Sequence, residues 1–209
     1  LGQDYSLQFD GNDDYIIIDN LNLPMGYDSH SYTAWVYVEY PPPYPQTAFI
    51  RANYESSCGN SIGLVLIAGN WQNRIGMNWC NDQYDTGDYL DYNTWTHLAY
   101  TKSGGLFRIY KNGVEIGSFN LNINFEEGLD WRINSDNAFW GGQMDDMVIW
   151  DKELSQNEIQ DLYNNGNSAY GESMALNYKF NAGSGDILYD HSGNNNHGTI
   201  HGAQWVCNE

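Results

Sequence analysis

The run Met144-Asp-Asp-Met-Val-Ile-Trp150 carries carboxylates inside an otherwise apolar strand pattern. Strand side chains alternate between faces, so Asp145 is expected to share a face with Met147 and Ile149. If that face is the core, an inward carboxylate is costly unless a cation or hydrogen bonds meet it. A second oxygen-rich stretch is Asp190-His-Ser192-Gly-Asn194-Asn-Asn196. Its alternate oxygen-bearing residues around a glycine resemble part of a calcium loop, without the closing bidentate Glu of an EF-hand. An Asx-turn accounts for the same residues equally well. Asp82, Asp85, Asp88 and Asp91 fall three apart and read as a solvated polar loop. His191, His197 and His201 lie close together, and the spacing of the last two would suit zinc on a helix. Gly198 and Gly202 argue against a helix there, and therefore against zinc. His97, beside Trp95, reads as a structural strand residue.

Sugar recognition has different requirements. An exposed aromatic stacks on the sugar face while neighbouring Asn, Asp or Gln side chains bond its hydroxyls. Trp71, Trp79, Tyr84 and Trp140 have such polar neighbours and are the candidate ligand-binding residues. Trp35, Trp95 and Trp150 lie in regular strand patterns and read as core. The chain has neither a Gly-x-Ser-x-Gly elbow nor a Gly-rich phosphate loop, and it is read as a non-enzyme.

The chain has 209 residues, the size of one large domain. Its 41% hydrophobic and 15% aromatic content is enough for a buried core without metals or disulfides. Eight basic against 27 acidic residues give a net charge of −19. Phosphate binding depends on Lys and Arg, so this balance argues against nucleic acid and anionic membranes. It is compatible with divalent cations and with a protein kept soluble outside the cell. No apolar run reaches membrane-spanning length; the longest, residues 62–68, is strand-sized. The chain starts at Leu1 without a Met, as a processed or excised chain would. Of three cysteines, Cys58 and Cys80 flank an apolar strand pattern and can either close a disulfide or stay as buried thiols. Cys207 is left over, as a free thiol or an intermolecular link.

Short apolar strands separated by Gly and Asn turns run through the chain. Leu7-Gln-Phe9 and Tyr15-Ile-Ile-Ile18 bracket the turn Asp10-Gly-Asn-Asp-Asp14. Trp95 to Tyr110 forms a hairpin, and Lys111-Asn112-Gly113 has the residues a type I′ turn needs. One helix is expected near 155–164, opened by the capping box Ser155-Gln-Asn-Glu158 and closed at Asn165-Gly166.

Several stretches together resemble the laminin G-like, concanavalin A-like jelly-roll family. They are Leu7-Gln-Phe-Asp-Gly-Asn-Asp-Asp-Tyr15, Tyr32-Thr-Ala-Trp-Val36, Asn93-Thr-Trp-Thr-His-Leu-Ala99, Ile109-Tyr-Lys-Asn-Gly113 and residues 142–159. The resemblance implies an all-β, two-sheet antiparallel β-sandwich and an extracellular or cell-surface module for adhesion, glycan binding or protein contacts. It also implies calcium between the Asp145 strand and the Phe9-Asp10-Gly11 turn. The candidate metal set is thus Asp10, Gly11 through its carbonyl, and Asp145, with Asp190 as a further possibility. Glycosidases of this fold carry two carboxylates in a strand motif Glu-x-Asp-x-x-Glu, which is absent here.

The chain departs from the family in order. The segment containing Tyr189-Asp-His-Ser-Gly-Asn and Gly202-Ala-Gln-Trp205 normally opens such a domain, yet it stands after the expected helix. Residues 1–209 are read as one domain in which 175–206 are permuted or donated. Three readings follow. In the first, the tail completes a neighbour's sandwich, and copies of the chain assemble head to tail. In the second, the chain is one unit of a tandem array. In the third, the tail folds back and the chain is a self-contained calcium-dependent glycan-binding module.

Overall fold

The computed structural model describes residues 4–18, 21, 29–39, 47–52, 63–67, 74–79, 82–120, 131–134, 141–166 and 173–208, with backbone alone for 47–52, 63–67, 78–79 and 82–83. The first half of the chain supplies β1 (Asp4–Asp10), β2 (Tyr15–Ile18), β3 (His30–Tyr37), β4 (Thr47–Ala52), β5 (Gly63–Ile67), β6 (Arg74–Trp79), β7 (Asp82–Tyr89) and β8 (Trp95–Ser103). Then come β9 (Leu106–Lys111), β10 (Val114–Asn120), β11 (Trp131–Ile133), β12 (Gly141–Trp150) and the helix α1 (Gln156–Asn165). The tail adds β13 (Met174–Tyr178), β14 (Ile187–Leu188), β15 (Gly198–His201) and β16 (Gln204–Asn208).

These strands form two eight-stranded antiparallel sheets. One runs β10-β9-β8-β3-β12-β1-β16, with β13 also on β12; the other runs β14-β15-β2-β11-β4-β5-β6-β7. Leu7, Phe9, Ile16, Val36, Leu98, Ile109, Ile133, Met144 and Ile149 are buried between them in one core. This is the expected sandwich. The local signals behind it are also present. Asn112 and Gly113 both have positive φ, 50° and 79°, as the type I′ turn requires. Ser155 and Glu158 cap α1 reciprocally, and Ile159 and Leu162 bury its apolar side on the outer face of the first sheet, against Ala99, Tyr110, Val148 and Trp150.

The tail is integral to its own chain. β16 pairs with β1, placing Trp205 opposite Leu7, and β15 pairs with β2, placing Ile200 opposite Ile16. Trp205 packs against the core, and its Nε1 donates to Gly185 O at 2.8 Å. β1 and β13 lie end to end along one edge of β12, the first opposite residues 141–144 and the second opposite 147–150.

The tail also forms a matched corner with the start of the chain. Residues 10–15 cross from one sheet to the other, and residues 201–204 cross back beside them. Tyr15 stacks on His201 with ring centroids 4.5 Å apart. Gly202, at φ 83°, sits so close to Asp14 that an added Cβ would collide with Asp14 Oδ1. Gly202→Ala is therefore expected to cost at least about 1–2 kcal/mol from the left-handed backbone alone, plus the displacement of Asp14. Thermal unfolding of the variant checks this, and an unchanged Tm would mean that the two crossings do not meet as described.

The expectation that Asp82 to Asp91 form a solvated loop is corrected. Residues 82–89 are β7, the edge strand of the second sheet, paired with β6. Asp85 and Asp88 of β7, and Asp91 just beyond it, have basic neighbours: Asp85 binds Arg74, and Lys111 lies 3.2 Å from Asp88 and 3.4 Å from Asp91. An acidic, charge-bearing strand suits an exposed edge, where it discourages pairing with other chains.

Candidate functional site

The crossing between β1 and β2 gathers carboxylates because it must turn sharply between the sheets. Gly11, at φ 81°, makes the reversal. The carboxylate oxygens of Asp10, Asp13 and Asp14 then lie within 4.8 Å of one another, the one such group of three His, Cys, Asp or Glu side chains among the described residues. Asp14 is buried and its Oδ2 accepts from Asp10 N at 2.7 Å. Burial pushes its carboxyl above the ordinary carboxylate range, and the neighbouring charges of Asp10 and Asp13 add to the effect. Asp10 is held below that range, chiefly by the Asn12 side chain, whose Nδ2 donates to Asp10 Oδ2 at 3.0 Å. A hard cation is the natural relief for three crowded carboxylates, and oxygen donors of this kind suit calcium. The sequence reading found Asp10 and Gly11 but missed Asp13 and Asp14. Their signal was present in the Asp-Gly-Asn-Asp-Asp spacing of a turn.

Asp145 does not join them. Asp10 pairs with Gly141, and Asp145 lies four residues further along β12, about 13 Å away at strand rise. The expected face for Asp145 is also corrected. A register shift falls between Asp145 and Val148, with Asp146 at φ 46°. This bulge resets the alternation, so Met144, Met147 and Ile149 all enter the core while Asp145 lies opposite Trp35 on the outer face. Burial raises both carboxyls, Asp145 to about 8 and Asp146 to about 6. Each charge opposes its neighbour's: Asp146 and Asp4 act on Asp145, while Asp4 acts on Asp146 against a favourable Lys179.

Asp190 has a different role, closer to the Asx-turn reading. Its Oδ1 accepts from Asn177 N and Ser192 N, both at 2.9 Å. Its Oδ2 accepts from Ser192 Oγ at 2.8 Å and Asn196 N at 2.9 Å. Four protein donors thus fill the carboxylate. Burial opposes its ionisation, but these hydrogen bonds outweigh burial and hold the carboxyl below the ordinary range. Asn194 Nδ2 donates to Met174 O and Asn196 Nδ2 to Ala175 O, so the whole stretch ties the tail loop to β13. The histidines serve the same scaffold: Asp190 N donates to His197 Nδ1 at 3.0 Å, and His201 stacks on Tyr15.

Of the candidate ligand-binding aromatics, Trp71 and Trp140 lie outside the described residues, as do Cys58 and Cys80. Trp79 ends β6, described as backbone. Tyr84 packs its ring on Phe119, centroids 5.0 Å apart, where the edges of the two sheets meet. Cys207 is exposed as a free thiol. Trp150 is buried as expected. Trp35 and Trp95 are corrected from core to half-exposed positions on the outer face of the first sheet, because β3 and β8 turn their even-numbered residues inward. His97 is buried beside Trp35, and burial pushes its imidazole down to about 4.

Residues 10–160 match the family model of the concanavalin A-like lectin/glucanases superfamily. The chain belongs to this superfamily. No curated protein sequence matches it. Among solved structures it is similar to a putative carbohydrate binding protein from Bacteroides ovatus, at 18% identity and a TM-score of 0.77, over 99% of this chain and 60% of that one. The chain thus spans about three fifths of that protein's length. It is also similar to domain 4 of AbnA, an extracellular arabinanase from Geobacillus stearothermophilus solved with arabinotriose. That likeness has 21% identity and a TM-score of 0.62, over 76% of each chain. A heptameric SAP-like pentraxin from Limulus polyphemus shares the fold at 13% identity and a TM-score of 0.56, over 77% of this chain and 82% of that one. At these identities the likeness is one of fold.

Proposed function

We propose that this concanavalin A-like domain is a non-catalytic, extracellular carbohydrate-binding module, stabilised by calcium at the Asp10–Asp13–Asp14 corner. The observation that carries this reading is the intrachain position of the tail. With β13 to β16 pairing to β1, β2 and β12, one chain owns a complete sandwich and can work as a separate binding unit. A carbohydrate role is further supported by domain 4 of AbnA, the arabinotriose-bound structure that shares this fold. The test is retardation of the protein in native gels containing soluble polysaccharides. Mobility unchanged by every polysaccharide at high concentration would remove the reading.

Head-to-tail assembly through residues 175–206 remains the second reading, favoured by one observation: β16 is an edge strand and carries the exposed thiol of Cys207. It requires Trp205 to leave its own core for a neighbour's. The self-contained reading predicts a monomer by light scattering in dilute reducing buffer; concentration-dependent growth would favour assembly instead.

Calcium at the corner gives a separate prediction. Free calcium at 100 times its Kd should stabilise the fold by about 2.7 kcal/mol. For a chain of this size that is roughly 5–10 °C in Tm. Chelation should reverse the gain, and Asp14→Asn should make the Tm insensitive to calcium. A wild-type Tm indifferent to calcium would take the ion out of this corner.

A further inference from the structure

Along the outer face of the first sheet, the pairing register lines five side chains into one row. Gln204 pairs with Gln8, Gln8 with Gln143, Gln143 with Tyr37, and Tyr37 with Trp95. The row crosses β16, β1, β12, β3 and β8, about 19 Å at the usual strand spacing. Helix α1 covers the same sheet further along, over Ala99, Val148 and Trp150, and its Tyr163 reaches no further than Trp35 and His97. The row itself is half-buried, with Gln204 exposed.

We infer that this row binds a neutral glycan chain lying across the strands, an inference that rests on the carbohydrate-binding reading above and assigns it a place. Tyr37 and Trp95 form an aromatic pair, centroids 5.6 Å apart and rings inclined at 48°, which offers stacking surface for the C–H face of a sugar ring. The glutamines supply both kinds of polar partner. Gln8 Nε2 donates to Phe9 O, leaving its Oε1 to accept; Gln143 Oε1 accepts from Ser6 Oγ, leaving its Nε2 to donate. Tyr37 Oη and Trp95 Nε1 also lack a hydrogen-bond partner among the described residues, so four polar atoms along the row stand ready for hydroxyls. The strand spacing is close to the length of one sugar unit, so a chain running along the row meets a new side chain at each residue.

Charge selects the occupant. The five side chains of the row are all uncharged, so none of them offers a counter-charge to an anionic sugar. The chain as a whole carries −19. A neutral polyhydroxylated chain meets no repulsion there, whereas a uronate or sulfated polysaccharide meets like charge.

The test is affinity gel electrophoresis with arabinan, galactomannan and mixed-linkage β-glucan as neutral probes and polygalacturonate as the anionic one, followed by calorimetry on the polysaccharide that retards most. Wild type should be retarded by at least one neutral polysaccharide and not by polygalacturonate. Trp95→Ala and Gln143→Ala should each weaken that binding at least tenfold, while Val114→Ser, on the β9–β10 hairpin, should leave it intact. Gln143→Ala retains both aromatics, so it keeps the test decisive if Trp95→Ala folds poorly. Neutral binding untouched by either variant would overturn the row and spare the carbohydrate-binding reading. Binding to polygalacturonate alone would overturn the choice of a neutral ligand, and no binding to any probe would overturn both.

Discussion

Asp190→Ala is expected to lower stability by about 3–5 kcal/mol, because removing a charged acceptor leaves several donors without partners. Two peptide groups that lose their acceptor, Asn177 N and Ser192 N, converge on Oδ1, and Asn196 N loses Oδ2. These donors hold the loop after β14 onto β13, and that loop leads into β15 and β16. The variant should therefore loosen both tail strands, and with them the edges of both sheets. Asp190→Asn keeps the shape but turns an NH2 group toward donors, so it should also destabilise, by less than alanine. Denaturant unfolding measures both. The pH dependence has a defined sign: the carboxyl is held below its unfolded value of 3.8, so its contribution is complete above that value and is lost as pH falls through the folded one. If Asp190→Ala unfolds at the wild-type denaturant concentration, the loop does not anchor the tail.

Asp145 predicts the opposite slope. Its carboxyl, first through burial and then through Asp146, is raised from 3.8 to about 8. Below pH 4 the folded and unfolded chains are both protonated at this site. Between about pH 4 and 8 the unfolded chain releases a proton that the folded chain retains. Stability therefore falls as pH rises through that window, by up to about 1.4 kcal/mol per unit for each such proton. Asp146, adjacent and raised in the same direction, shares the titration, so the steps belong to the pair. Asp145→Asn removes one ionisable member and should flatten the decline, leaving the variant more stable than wild type near pH 8. Tm measured across pH 4 to 9 checks this. A wild-type Tm that rises from pH 5 to pH 8, with Asp145→Asn parallel to it, would show that the carboxyl is not held in its neutral form.

The bulge that raises Asp145 also marks where sequence reading stopped. Strict alternation placed Asp145 with Met147 and Ile149, and nothing in Met144-Asp-Asp-Met147 announces the extra residue. The bulge falls where the neighbour on β12 changes from β1 to β13. That change depends on where β13 docks, and its residues come 24 to 31 positions after their partners on β12. Asp190 was legible only as two alternatives, because a calcium loop and an Asx-turn use the same residue types. The backbone amides that fill the carboxylate separate them, and one of those amides belongs to Asn177 on another strand. Trp35 and Trp95 were misassigned because a strand pattern gives two faces and does not say which one a second sheet will cover.

What the sequence settled by itself was local and periodic. The capping box of α1, the Asn112-Gly113 turn, the alternating strands and the superfamily all follow from contacts within a few residues or from repeated patterns, and the fold class follows from them. The tertiary structure alone decided the pairing of distant strands. It closed the tail on its own β1, set Gly202 against Asp14, moved Asp145 away from Asp10, and drew Gln204, Gln8, Gln143, Tyr37 and Trp95 into one line. Register between strands is fixed by the whole sandwich, so a site assembled across five strands has no signature in any one of them.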